Sequence, residues 1–233
     1  SIPADPSVNL LGGDLEPFSS YNDGTNVLDT NEAQRYGRTV AMNYAGDVVA
    51  VASPLAHFTV SGTEYADIGY VKVSSYSDGS WNQLGDLIID ISNDVPQAVA
   101  LNGDGTIVAI GGLGTVNGIN LSGRVSVYQY SSGTDSWSQL GNYFDGAEND
   151  RIGGEDESLA FNEAGDILAI GSYSATVDGN TYAGKLAVYQ YSSGSWSQLG
   201  SDFTGTNVGD RVGYTVSLNS AGDIITFGAF GNN

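Results

Sequence analysis

One phrase recurs along the chain: Ser80-Trp81-Asn82-Gln83-Leu84-Gly85, Ser136-Trp137-Ser138-Gln139-Leu140-Gly141 and Ser195-Trp196-Ser197-Gln198-Leu199-Gly200. A worn copy, Ser7-Val8-Asn9-Leu10-Leu11-Gly12, precedes them. A second phrase is interleaved with the first: Asn43-Tyr44-Ala45-Gly46-Asp47, Asn102-Gly103-Asp104-Gly105-Thr106, Asn162-Glu163-Ala164-Gly165-Asp166 and Asn219-Ser220-Ala221-Gly222-Asp223. A spacing of about 59 residues, as from Trp137 to Trp196, belongs to arrays in which each unit buries its apolar face only against its neighbours.

The third unit shows what each copy contains. Ser158 to Asn162 alternates apolar with small or polar residues, as a strand does, and Glu163-Ala164-Gly165-Asp166 supplies a tight turn. Ile167 to Gly171 is a continuous apolar run, which suits a strand covered on both faces. Lys185 to Tyr191 and Trp196 to Leu199 complete four antiparallel strands, the content of one propeller blade. Between the second and third strands, Ser61-Gly62, Asn117-Gly118 and Asp178-Gly179 predict small hairpins with type I′ turns. No helical period with caps is present. The expected fold is an all-β propeller of about four four-stranded blades in one domain, residues 1–233. The expected units are 36–85, 95–141, 152–200 and a composite of 212–233 with 7–12. Pairing of the N-terminal strand with the last half blade would close the ring and cover open sheet edges.

Composition narrows the possible partners. With 27 acids against 7 bases the formal net charge is −20, so a nucleic-acid partner is not expected, because phosphates demand a basic face. No apolar run reaches membrane-spanning length, so insertion is not expected. There is no cysteine and His57 is the single histidine, which removes the usual zinc ligand sets. The acidity itself suits a solvated surface, a cationic partner or calcium ligation.

Several phrases resemble the FG-GAP repeats of integrin-type propellers in their divergent secreted and marine form. The family's Phe-Gly corresponds to Tyr36-Gly37, Ile152-Gly153 and Val212-Gly213, with Val95-Pro96 departing. Its Gly-Ala-Pro corresponds to Ala52-Ser53-Pro54, Gly111-Gly112-Leu113, Gly171-Ser172-Tyr173 and Gly228-Ala229-Phe230. The resemblance implies calcium in the turn joining the first two strands of a blade. The turn from Asn102 to Val108 is the best copy, yet Ala100 and Val108 stand where the first and last ligands would be. No metal is therefore expected in that turn and no cofactor elsewhere, calcium being possible only at weak candidates Asp86, Asp90, Asp94, Asp145 and Glu148.

The chemistry-bearing residues fall at repeat stations. Arg35, Arg151 and Arg211 share one, read either as links between blades or as a guanidinium ring that binds an anion at one channel mouth. Tyr65, Tyr173 and Tyr182 are expected on the projecting hairpins as binding candidates, with His57 on an exposed loop. The repeated tryptophans read as packing between blades. The acidic stretches around Asp145, Glu148, Asp150, Glu155, Asp156 and Glu157 read as solvated faces. No nucleophile elbow and no singled-out carboxylate pair is present, and Ser77-Asp78-Gly79-Ser80-Trp81 matches a sialidase Asp-box only faintly. The expectation is a non-catalytic, extracellular or surface-exposed module that binds a protein or glycan. The alternatives are an accessory subunit of a larger assembly, such as one in an organelle lumen, and a carbohydrate-active enzyme.

Overall fold

The computed structural model describes residue 15 and residues 26–29, 35–89, 95–155 and 157–231. All regular structure among them is β. Blade one contains β2 (Thr39–Met42), β3 (Val48–Ser53), β6 (Tyr70–Ser77) and β7 (Ser80–Gln83), hydrogen-bonded in that order. Its projecting hairpin, β4 (His57–Val60) and β5 (Thr63–Tyr65), gains a third strand from β1 (Asn26–Asp29), a pairing the sequence reading missed.

Blade two runs β8 (Val95–Leu101), β9 (Ile107–Leu113), β10 (Arg124–Ser131) and β11 (Ser136–Gln139), with β12 (Phe144–Asp145) returning to pair with β10. Blade three repeats this as β13 (Leu159–Phe161), β14 (Ile167–Ser172), β15 (Lys185–Ser192) and β16 (Ser195–Gln198), with β17 (Phe203–Thr204) against β15. The fourth sheet pairs β18 (Val212–Leu218) with β19 (Ile225–Ala229). The chain is thus an all-β propeller. The strand Ser7 to Gly12 and its expected pairing lie outside the described residues, as do Asp90, Asp94 and Asp156.

The reasons for this arrangement are local. Strands β3, β9 and β14 carry almost only small and β-branched or aliphatic residues because each lies between two other strands and beneath neighbouring blades. Val48, Ala50, Val71 and Val73 of blade one meet Val99, Leu101, Val108 and Ile110 of blade two. Ile107, Val125 and Val127 of blade two meet Phe161, Leu168 and Ile170 of blade three. Each fully buried aliphatic side chain of this kind contributes about 1.5–3 kcal/mol. The expected type I′ turns are present, with positive φ at both central residues of Ser61-Gly62, Asn117-Gly118 and Asp178-Gly179.

The turns between first and second strands close on themselves. Asn162 Oδ1 accepts the Gly165 and Ile167 amides while its Nδ2 donates to Asp166, and Asn43 and Asn219 bond Asp47 and Asp223 in the same way. In the turn from Asn102 to Val108, Asp104 accepts from the amide and hydroxyl of Thr106. Neighbouring turns are joined through main-chain atoms alone: Tyr44 N to Gly103 O, Gly103 N to Glu163 O, and Glu163 N to Ser220 O.

His57 corrects an expectation. It sits on strand β4 rather than in a loop, half-buried, with Nε2 3.2 Å from Asp67 Oδ1. The period-two alternation through His57, Phe58 and Thr59 is the signal for that strand.

Candidate functional site

The inner strands β2, β8, β13 and β18 border a channel that offers polar as well as apolar surface, with Val40, Met42, Tyr44, Val216, Ser217 and Leu218 among its lining residues. Among the described residues that line it, the carboxylate is Glu157, two residues before β13. Glu157 also borders a smaller pocket of about 210 Å³ at the channel mouth, together with Glu155, Tyr214 and Thr215. Two features of local structure place these groups. The Glu157 carbonyl accepts the Val216 amide at 2.8 Å, which ties its loop to β18. The Glu155 carbonyl accepts the Ser158 hydroxyl at 2.6 Å.

Behind this pocket the arginine station joins a run of aromatic rings. Arg151 Nη1 donates to the Tyr173 hydroxyl at 3.1 Å. Tyr173 meets Tyr214 edge to face at 5.4 Å, and Tyr214 meets Phe230 at 4.7 Å. The Arg211 guanidinium lies 4.7 Å from the Phe230 ring centre and 5.8 Å from that of Tyr182. Burial pushes the Tyr173 phenol up; Arg151 opposes this and Glu155 reinforces it. Tyr173 therefore presents an O–H donor at neutral pH. Arg35, Arg151 and Arg211 all have positive φ, between 50° and 56°, a conformation uncommon for residues with a Cβ.

The expected site residues are distributed as follows. Arg151 and Arg211 link blades, since Arg151 joins the loop before blade three to Tyr173, and Arg211 lies between Tyr182 of blade three and Phe230 of the fourth sheet. Arg35 is exposed at the equivalent position beside blade one. Tyr182 projects as expected, 49% exposed. Tyr173 does not: it is 8% exposed, because it follows β14 directly and its ring is held against Tyr214. Tyr65 stands apart in a pocket of about 130 Å³ with His57, Phe58 and Glu64. Asp86 and Glu148 are exposed, and Asp145 is bound by Arg124. Among the described residues no three His, Asp or Glu side chains are gathered as metal ligands. Tyr214 and Thr215 were not singled out by sequence; their strand reads as ordinary β alternation, and only the fold brings them to Glu155 and Glu157.

No family model and no curated protein matches the chain. Similar solved structures include the periplasmic gluconolactonase of Pseudomonas aeruginosa, 11% identical with a TM-score of 0.48, covering 82% of this chain and 50% of that one. A Bacteroides fragilis protein provisionally assigned as a 6-phosphogluconolactonase is 11% identical with a TM-score of 0.48, covering 76% and 40%. Sqt1 of Saccharomyces cerevisiae is 12% identical with a TM-score of 0.47, covering 78% and 39%. The chain spans half or less of the length of each of these three structures. Identities and scores at this level transfer no activity to it.

Two expectations are corrected. The FG-GAP resemblance does not hold: no family model matches, and the similar solved structures are named as a gluconolactonase, a 6-phosphogluconolactonase and Sqt1. The expectation of a non-catalytic secreted adhesion or binding module, drawn from the missing nucleophile elbow and carboxylate pair as well as the resemblance, is corrected likewise, since similar solved structures bear the names of a gluconolactonase and a 6-phosphogluconolactonase.

Proposed function

We propose that the chain carries the site of a hydrolytic propeller acting on a small cyclic ester, of the sugar-lactone class, in the pocket at the channel mouth. The observation that carries this reading is the placement of Glu155, Glu157, Tyr214 and Thr215 together around one pocket, with Glu157 also bordering the channel. In this reading Glu157 takes a proton from water, and the resulting hydroxide adds to the lactone carbonyl carbon. The Tyr214 and Thr215 hydroxyls donate to the oxygen that gains charge. The ring C–O bond then breaks, and the departing alkoxide recovers the proton from Glu157, giving a hydroxy acid. The Arg151–Tyr173 pair holds Tyr214 in place from behind. That residues 1–233 form one domain, and that the protein is exported to the extracellular space or cell surface, belong to the same proposal.

The test is hydrolysis of a panel of aldonolactones by the full chain, followed by pH-stat titration against the spontaneous rate. Glu157→Gln is expected to lose about 10²-fold or more in kcat while keeping its fold. Hydrolysis no faster than the spontaneous rate with every lactone, or full activity in Glu157→Gln, overturns the reading.

A further inference from the structure

A further pocket lies in the groove between blades two and three. It measures about 290 Å³ and is bordered by Asp145, Asp150, Lys185, Tyr189, Gln198 and Asp202. Ile152 and Ile170 form its floor. Asp150 is 4% exposed and its Oδ2 accepts from the Ala147 amide and from Lys185 Nζ at 2.7 Å.

Comparison of the two repeats explains why the groove is polar here. In blade two, Arg124 faces Asp145 across the ladder and forms an ion pair with it. In blade three the register puts Thr204 opposite Lys185, and threonine offers no charge to pair with an ammonium. Lys185 turns instead into the groove, to Asp150 of the preceding loop. The next station differs as well. Asp210, the counterpart of Asp150, accepts two backbone amides and the Asn207 side chain, all within its own loop. Asp150 is bound to one amide of its loop and to a cation from another blade. Burial and the nearby Asp202 raise the Tyr189 phenol, which stays a hydroxyl. Gln198 donates to Asp202 at 2.6 Å and so orients one wall.

We infer that this groove is a binding site for a neutral polyol the size of one monosaccharide ring, unassociated with the hydrolytic pocket. The chemistry is complementary. A sugar hydroxyl both donates and accepts, and the walls offer carboxylate acceptors beside ammonium, phenol and amide donors. Ile152 and Ile170, 6% and 1% exposed, are buried beneath the groove as its floor, so recognition rests on the polar walls. A purely structural blade lock needs only the Lys185–Asp150 pair, whereas Asp202, Gln198 and Tyr189 add polar groups around an open volume.

The test is ligand-observed saturation-transfer NMR of the full chain with D-glucose, D-galactose, D-mannose, D-mannitol, the methyl glycosides and short oligosaccharides of the same sugars. A saturable signal from one of the free sugars or the alcohol is expected. For a sugar, equal binding of its methyl glycoside marks the ring as the recognised unit. Asp202→Asn and Gln198→Ala, both at exposed positions that leave the blade lock intact, should each weaken the dissociation constant about tenfold. Glu157→Gln should bind as the parent does, so loss of hydrolysis and loss of sugar binding are separable. The inference is overturned if no monosaccharide or alcohol binds, if only oligosaccharides bind, or if both groove variants bind unchanged.

Discussion

The indole nitrogen of Trp196 donates to the carbonyl oxygen of Leu140, 2.9 Å away and on the preceding blade. Trp137 repeats the relationship one blade earlier, with the Leu84 carbonyl at 2.8 Å. Each tryptophan is thus both apolar filler and a hydrogen-bonded peg between blades. Trp196→Phe keeps much of the apolar contact but leaves a carbonyl without its donor, and is expected to cost about 1–3 kcal/mol. Trp196→Ala also opens a cavity and should cost about 3–5 kcal/mol. Urea denaturation midpoints of the parent and the two variants check this; a Trp196→Phe midpoint equal to the parent's would mean that the hydrogen bond contributes nothing.

Gly171 tests the joint between blade three and the fourth sheet. A Cβ built there would run into the Gly213 carbonyl, a backbone atom that cannot rotate away. Gly171→Ala is expected to destabilise by about 1–3 kcal/mol, the range for overpacking. Gly133→Ala, where the nearest atom is the Ser131 hydroxyl at 4.0 Å, is the control and should be near neutral. Thermal melts of both decide the point.

The Asn-capped turns give a prediction about metal. Asn162→Ala removes the acceptor for two amides, Gly165 and Ile167, and should cost about 1–3 kcal/mol. Excess calcium should leave the Tm of the parent chain unmoved, since the turn carboxylates are engaged by Asn and Thr partners. A calcium-dependent rise in Tm that vanishes in Asp104→Ala would overturn this.

Acid should loosen the loop before β18. The Asn207 amide, against a smaller opposing effect of burial and with further bonds from Thr206 and the Asn207 side chain, holds the Asp210 carboxyl below its ordinary range. A group depressed in the folded state binds fewer protons there than in the unfolded chain. Its contribution is complete above the unfolded value, about 3.9, and is lost as pH falls through the lower folded value. Asp210→Asn is expected to flatten the acid limb of the stability curve in that window. Denaturation midpoints measured across it for parent and variant provide the check; superimposable slopes would count against the role given to Asp210.

Much of the architecture was legible in the sequence because repeat phrases carry periodicity. The apolar run from Ile167 to Gly171 announces a strand covered on both sides, and Asn117-Gly118 announces its turn. What was illegible depends on neighbours that sequence does not bring together. Nothing in Val212 to Val216 marks Tyr214 and Thr215 as lining a pocket with Glu155 and Glu157. Nothing around Tyr173 separates a hairpin residue from a buried one, because burial comes from Tyr214, which is about 40 residues away in sequence. The same oxygen-bearing side chains serve a calcium loop or a self-bonded turn, and only the direction of their hydrogen bonds tells the two apart.

The main-chain run that joins the turns at Tyr44, Gly103, Glu163 and Ser220 has an implication for sequence drift. These four equivalent positions hold an aromatic residue, a glycine, an acid and a serine, while the asparagine before each is kept in all four copies. A joint made of peptide groups reads no side chain, so Tyr44, Glu163 and Ser220 differ while the asparagine that shapes the turn does not; at Gly103 a Cβ would lie 2.8 Å from the Glu163 carbonyl oxygen, which holds that position to glycine. The residue most clearly excluded at the donor positions Tyr44, Gly103 and Glu163 is proline, which has no N–H to give. Diversity at one position beside constancy at the next is therefore the signature by which such a main-chain joint can be sought in other repeat sequences.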